Sequence, residues 1–136
     1  MRFSLIHHGW ASFFLEKDSY HAKAFRLVTE WQQRNRCVVT TNYVLGELVS
    51  LFTHLRVPRI RCLNYIEILR SVDWVEIVHI GEALDKKAWQ LLVNRLDKKW
   101  SLVDCASFVV MQEQGMTEAL TADRHFEQAG FVRLLK

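Results

Sequence analysis

Asp104 is the lone charge in an apolar stretch. Residues 100–111 read WSLVDCASFVVM. Ser101 followed three residues later by Asp104, then an apolar run, is a capping-box arrangement at a helix start, with Asp where Glu or Gln is usual. Val103, Ala106, Ser107 and Val110 form one set of small or apolar positions; Cys105, Phe108 and Val109 form another. The helix is therefore apolar on most sides, as one buried against several neighbours should be. A carboxylate in its first turn has two uses: it caps the helix, or it projects into a place that needs negative charge.

Other groups able to do chemistry follow short apolar runs. His7-His8 come after residues 3–6, Thr41-Asn42 after the β-branched run CVVT, and Ala122-Asp123 after EALT. The elements that must position them are legible from periodicity. Helices are predicted over residues 9–15, 20–36, 43–54, 58–70, 81–96, 101–114 and 124–129. Tyr20, Ala24, Leu27, Val28 and Trp31 make the clearest amphipathic pattern, with Asp18 or Ser19 as its N-cap. Strands are predicted over residues 3–6, 37–40, 74–80, 118–121 and 131–135. The alternation in WVEIVHI points to a strand near a sheet edge. Thr41 or Asn42 caps the third helix, Gly115 ends the sixth, and Asp123 caps the seventh.

The order β-α-α-β-α-α-β-α-α-β-α-β predicts an α/β fold with a small parallel sheet covered on both faces. Ligands of such sheets bind at the carboxyl ends of the strands. That rule selects the residues around His7-His8, Thr40-Thr41-Asn42 and Thr121-Ala122-Asp123, with Asp104 near the same edge if the connector from Asp97 is short.

Composition sets the outer limits. A chain of 136 residues, half of them hydrophobic, is read as one domain over residues 1–136. A single Pro and five Gly leave little room for linkers. The net charge of +3 weakly favours an anionic partner. Cys37, Cys62 and Cys105 are odd in number, lack metal spacing and have apolar neighbours, so buried free thiols in a reducing, cytoplasmic setting are expected. No apolar run is long enough to span a membrane or to serve as a signal peptide.

Four segments taken together, in this order and spacing, resemble the PIN-domain family, in particular its small bacterial VapC-like toxin ribonucleases. They are GWASFFLEKDSYHAKA, TTNYVLGELVSL around Glu47, WSLVDCASFVVM around Asp104 and LTADRHFEQAGF around Asp123. The resemblance implies a three-layer α/β/α sandwich whose parallel sheet carries acidic residues at its carboxyl edge. These residues hold Mg²⁺ or Mn²⁺ and cleave RNA. It places the catalytic and metal-binding roles on Glu47, Asp104 and Asp123, and implies an RNA substrate, a cognate antitoxin and a homodimer as partners. Aligned on Gly9-Trp10, the family's first acid falls at Ile6, and the acid often found two residues after Asp123 is replaced by His125.

Each acid also has a plain structural reading: Glu47 on a solvated helix face with Ser50 and His54, Asp104 in its capping box, Asp123 as an N-cap. Thr40, Asn42, Ser101 and Thr121 either orient the carboxylates from behind or serve turns and caps. His7 and His8 either replace the missing acid as ligands, in which case imidazole suits Mn²⁺ or Zn²⁺ better than Mg²⁺, or are polar strand-end residues. Lys98 and Lys99 are candidates for phosphate contacts, as are Lys86-Lys87 and the Arg56, Arg59, Arg61 group. Trp10 and Trp100 either stack a base or belong to the core. The alternative to a ribonuclease is a weak or inactive PIN domain that binds RNA or protein.

Overall fold

The computed structural model describes residues 2–136. Its elements follow the expected order: β1 (Arg2–Ile6), α1 (Gly9–Phe14), α2 (His21–Gln33), β2 (Cys37–Thr41), α3 (Asn42–His54), α4 (Arg59–Ser71), β3 (Val75–Val78), α5 (Glu82–Asn94), α6 (Leu102–Gln114), β4 (Glu118–Leu120), α7 (Arg124–Gln128) and β5 (Val132–Arg133). The strands form one sheet in the order β3-β2-β1-β4-β5, with every neighbouring pair parallel. Parallel neighbours need crossover connections, and the helices supply them. The first strand of the chain thus lies at the centre, and β3 lies at an edge, as its alternating pattern predicts.

Strand alternation sorts the side chains into two apolar layers. Leu5, Val39 and Ala119 join one cluster with Ala88 of α5, Cys105, Phe108 and Met111 of α6, and Phe126 of α7. Ile6, Val38 and Leu120 join the other with Trp10 of α1, Val28 of α2, Phe52 of α3 and Leu69 of α4. The result is a three-layer α/β/α sandwich. In α6 every residue from Asp104 to Met111 is buried. Residues 115–117 turn the chain from α6 into β4, so helix and strand run in opposite directions. The start of α6 therefore lies at the carboxyl edge of the sheet, beside the ends of β1 and β4.

Some local details differ from the sequence reading. The N-cap position of α2 is Tyr20, with no side-chain cap. Asp18 instead accepts a hydrogen bond from the Tyr20 amide at 2.9 Å, closing a turn ahead of the helix. The last strand shrinks to two residues because β4, its neighbour among the described strands, is itself three residues long. Trp10 and Trp100 are core residues, not stacking platforms: both are buried. Trp10 packs edge-on against Phe13, while Trp100 packs edge-on against Phe108 and donates its Nε1–H to Gln128. Cys62 and Cys105 are buried free thiols as expected, whereas Cys37 is only half-buried.

Candidate metal centre

β1 ends at Ile6, and continuing its alternation by one residue places His7 on the same side as Leu5, facing α6 and α7. The His7 ring is 1% exposed. It lies 4.9 Å from the Phe126 ring and 4.2 Å from that of His8, centroid to centroid. Its Nε2 is 3.4 Å from Asp104 Oδ1 and 3.8 Å from Glu47 Oε1. Among the described residues neither ring nitrogen has a hydrogen-bond partner. Burial, with the nearby His8 and His125, holds the His7 pKa well below that of an ordinary histidine. The ring is therefore neutral and keeps a lone pair.

Asp104 is fixed by its own helix start. Ser101 Oγ accepts the Asp104 amide at 3.0 Å, and Asp104 Oδ2 accepts the Ser101 amide at 3.0 Å, completing the capping box. The same Oδ2 accepts Nδ1–H of His125 at 2.9 Å, which leaves Oδ1 directed at His7. Burial raises the Asp104 pKa and the charge of Asp123 adds to the rise, while the Ser101 and His125 hydrogen bonds oppose it.

Asp123 caps α7 by accepting the His125 amide at 2.9 Å, and its own amide donates to Thr121 Oγ1 at 3.1 Å. Glu47, in the second turn of α3 and one-third exposed, accepts Nε2–H of His8 at 2.8 Å. Among the described residues two sets of ligand-capable atoms result, each mutually within 4.8 Å: His7, His8 and Glu47; and His7, Asp104 and Asp123. His7 belongs to both.

The remaining residues singled out from the sequence are placed as follows. Ser101 and Thr121 touch Asp104 and Asp123 as just described. Thr40 Oγ1 donates to the Ile6 carbonyl at 2.9 Å, tying the end of β2 to that of β1. Asn42 Oδ1 accepts the Ile80 amide at 2.7 Å, holding the connection that leaves β3. Thr41, not Asn42, caps α3. Lys98 is half-buried, 3.8 Å from Asp97, and Lys99 is exposed, both just ahead of α6. Ile6, where the resemblance expects an acid, is fully buried in the layer of Trp10 and Phe52. The polar side chain that meets the carboxylates there is His7. Its signal in the sequence was the alternation Leu5-Ile6-His7, which sends the imidazole to the side of Asp104.

Three carboxylates converging on a neutral, unpaired imidazole suit a divalent cation. A bound cation would offset both the burial that disfavours the Asp104 charge and the smaller opposition from Asp123. Glu47, Asp104 and Asp123 offer the oxygen donors that hard cations take.

A small parallel sheet between helical layers, with this cluster at its carboxyl edge, defines a PIN-like domain. No family model matches the chain. It is similar to the 23S rRNA-specific endonuclease VapC20 of Mycobacterium tuberculosis, in strains CDC 1551 / Oshkosh and ATCC 25618 / H37Rv. The identity is 32% over 129 residues, covering 92% of this chain and 92% of each relative. The crystal structure of Mycobacterium tuberculosis VapC20, a Sarcin-Ricin loop cleaving toxin, matches with a TM-score of 0.85 at 30% identity, over 98% of this chain and 99% of that one. The chain belongs to the VapC-like PIN-domain family.

Proposed function

We propose that this protein is a metal-dependent endoribonuclease, the toxin of a toxin–antitoxin pair. The observation that carries this reading is the convergence of Glu47, Asp104 and Asp123 on His7 at the carboxyl edge of the sheet. Glu47, Asp104 and Asp123 would hold Mg²⁺ or Mn²⁺, which when bound supplies an activated water and offsets charge on the phosphate. The chain's own part is positioning. Ser101 and His125 lock one oxygen of Asp104 and leave the other available. Thr121 steadies the backbone of Asp123. Lys98 and Lys99 stand ready for the RNA backbone beside the start of α6. Its partners on this reading are RNA and a cognate antitoxin, with a homodimer as the assembled form. No helix among the described residues is long and apolar enough to cross a membrane. The relatives act on 23S rRNA, so a structured ribosomal RNA fragment is the substrate to test first.

Incubation of purified protein with such a fragment and Mg²⁺ or Mn²⁺ is expected to give discrete cuts that a chelator stops. Asp104→Asn should slow cutting by about 100-fold or more, the scale on which electrostatic contributions to a transition state are lost. An Asp104→Asn protein that cuts as fast as the parent sinks the site assignment.

One observation favours a second reading, a domain that binds RNA or protein without cutting: Ile6, where the resemblance expects the family's first acid, is buried in an apolar layer. RNA retained in a binding assay but left intact at every metal concentration would select it.

A further inference from the structure

The feature that sets this site apart from an all-carboxylate one is His7. Leaving a buried polar group without a partner is unfavourable, and buried imidazoles are ordinarily hydrogen-bonded. Here both ring nitrogens lack a hydrogen-bond partner among the described residues, in a ring that is 1% exposed. The ring is oriented by packing between His8 and Phe126. Its Nε2 faces Asp104 Oδ1 at 3.4 Å and Glu47 Oε1 at 3.8 Å, beyond good hydrogen-bond length. Two donors each about 2.1 Å from a tetrahedral ion stand about 3.4 Å apart. The spacing fits two ligands of one ion better than a hydrogen-bonded pair.

We propose that His7 is a metal ligand, and that the mixed imidazole–carboxylate set of His7, Asp104 and Asp123, with Glu47 on the other side of the same imidazole, selects a first-row transition ion, Zn²⁺ or Mn²⁺, over Mg²⁺. This deepens the ribonuclease reading and rests on it only for the location of the site. Mg²⁺ takes oxygen donors and holds its waters, so a nitrogen at the centre of the set removes a donor it favours. Imidazole suits Zn²⁺ well, and among divalent ions Zn²⁺ binds nitrogen–oxygen sites more tightly than Mn²⁺. His8 donates to Glu47 and His125 donates to Asp104, so two of the three carboxylates are held by a second imidazole from outside.

The test is direct binding of ZnCl₂, MnCl₂ and MgCl₂ to chelator-stripped, full-length protein by calorimetry, with no RNA present. The expected order is Zn²⁺, then Mn²⁺, then Mg²⁺, with Mg²⁺ weaker than Mn²⁺ by about 10-fold or more. His7→Asn should weaken Zn²⁺ and Mn²⁺ by about 10–100-fold with little change for Mg²⁺, and His7→Asp should move the preference toward Mg²⁺. Since His7 is buried and its variants can fail to fold, pulsed electron paramagnetic resonance of the Mn²⁺-loaded parent protein gives an independent reading. Nitrogen hyperfine coupling from a coordinated imidazole is expected. Absence of that coupling, equal affinity for Mg²⁺ and Mn²⁺, or a folded His7→Asn protein with unchanged Zn²⁺ affinity would overturn the proposal. A protein that binds metal through nitrogen but never cuts RNA leaves this inference standing and removes the nuclease reading; RNA cutting without nitrogen coupling does the reverse.

Discussion

At the scale of single residues, the site is held against local stability. His7 is buried with no hydrogen-bond partner among the described residues, and Asp104 is buried with its charge disfavoured by desolvation and by Asp123. A carboxylate whose pKa is raised by folding binds its proton more tightly in the folded state. The stability it gives is present below the ordinary carboxylate range and is lost as pH rises through the raised value. Asp104→Asn removes that loss while its amide oxygen can still accept from the Ser101 amide. In urea denaturation with chelator present, the variant is expected to match or exceed the parent at about pH 7 and to lose that advantage near about pH 3. A variant much less stable than the parent at neutral pH would show that the charge stabilises the fold. The caps at Ser101 and Asp123 could be read from the chain because their partners lie two or three residues away. The role of His7 could not be read this way. What it meets comes from α3 and α6, and a shift of one residue at a strand end exchanges the side chain sent to each face.

At the scale of elements, the site depends on how closely α1 approaches the end of β4. A Cβ at Gly9 would collide with the Leu120 carbonyl oxygen and lie 2.7 Å from Leu120 Cγ. Only glycine permits that approach, and Thr121 and Asp123 follow directly after it. Gly9→Ala is expected to cost about 1–3 kcal/mol in chemical denaturation, as overpacking does, and to weaken metal binding by displacing Asp123. Unchanged stability and unchanged metal affinity together would show that β4 yields freely there. Element types and order were legible in the sequence because hydrophobic period and cap residues agree in nearly every segment. The α2 start was less so, because Asp18 serves a turn instead of the helix. The short strands were legible only as apolar runs, since their lengths are set by the neighbours they pair with.

At the scale of the whole molecule, the net charge of +3 is modest, so RNA affinity must come from cations placed near the cluster and not from a general field. Lys98 and Lys99 precede α6, whose first turn carries Asp104. Replacing both by Ala should lower RNA affinity across sequences and flatten its salt dependence by about 1.4 in the log–log slope, about 0.7 for each phosphate of a single strand that is no longer neutralised. An unchanged slope would place the RNA path elsewhere, for instance along Lys86 and Lys87, where Lys87 is paired with Glu113 and Lys86 with Glu82.

The central position of β1 bears on synthesis as well as on architecture. Ser4 pairs with Val38 on one side and with Glu118 on the other, so the earliest strand of the sheet waits for its second neighbour until the fourth strand is made. Asp104, Asp123 and His125, which complete the cluster around His7, emerge in that same late stretch. Chains released early, or still attached to the ribosome with this stretch unmade, lack both the closed sheet and two of the three carboxylates. On the nuclease reading, no fragment that stops short of β4 is active, and the ribosome that translates the chain meets no working enzyme until His125 has emerged.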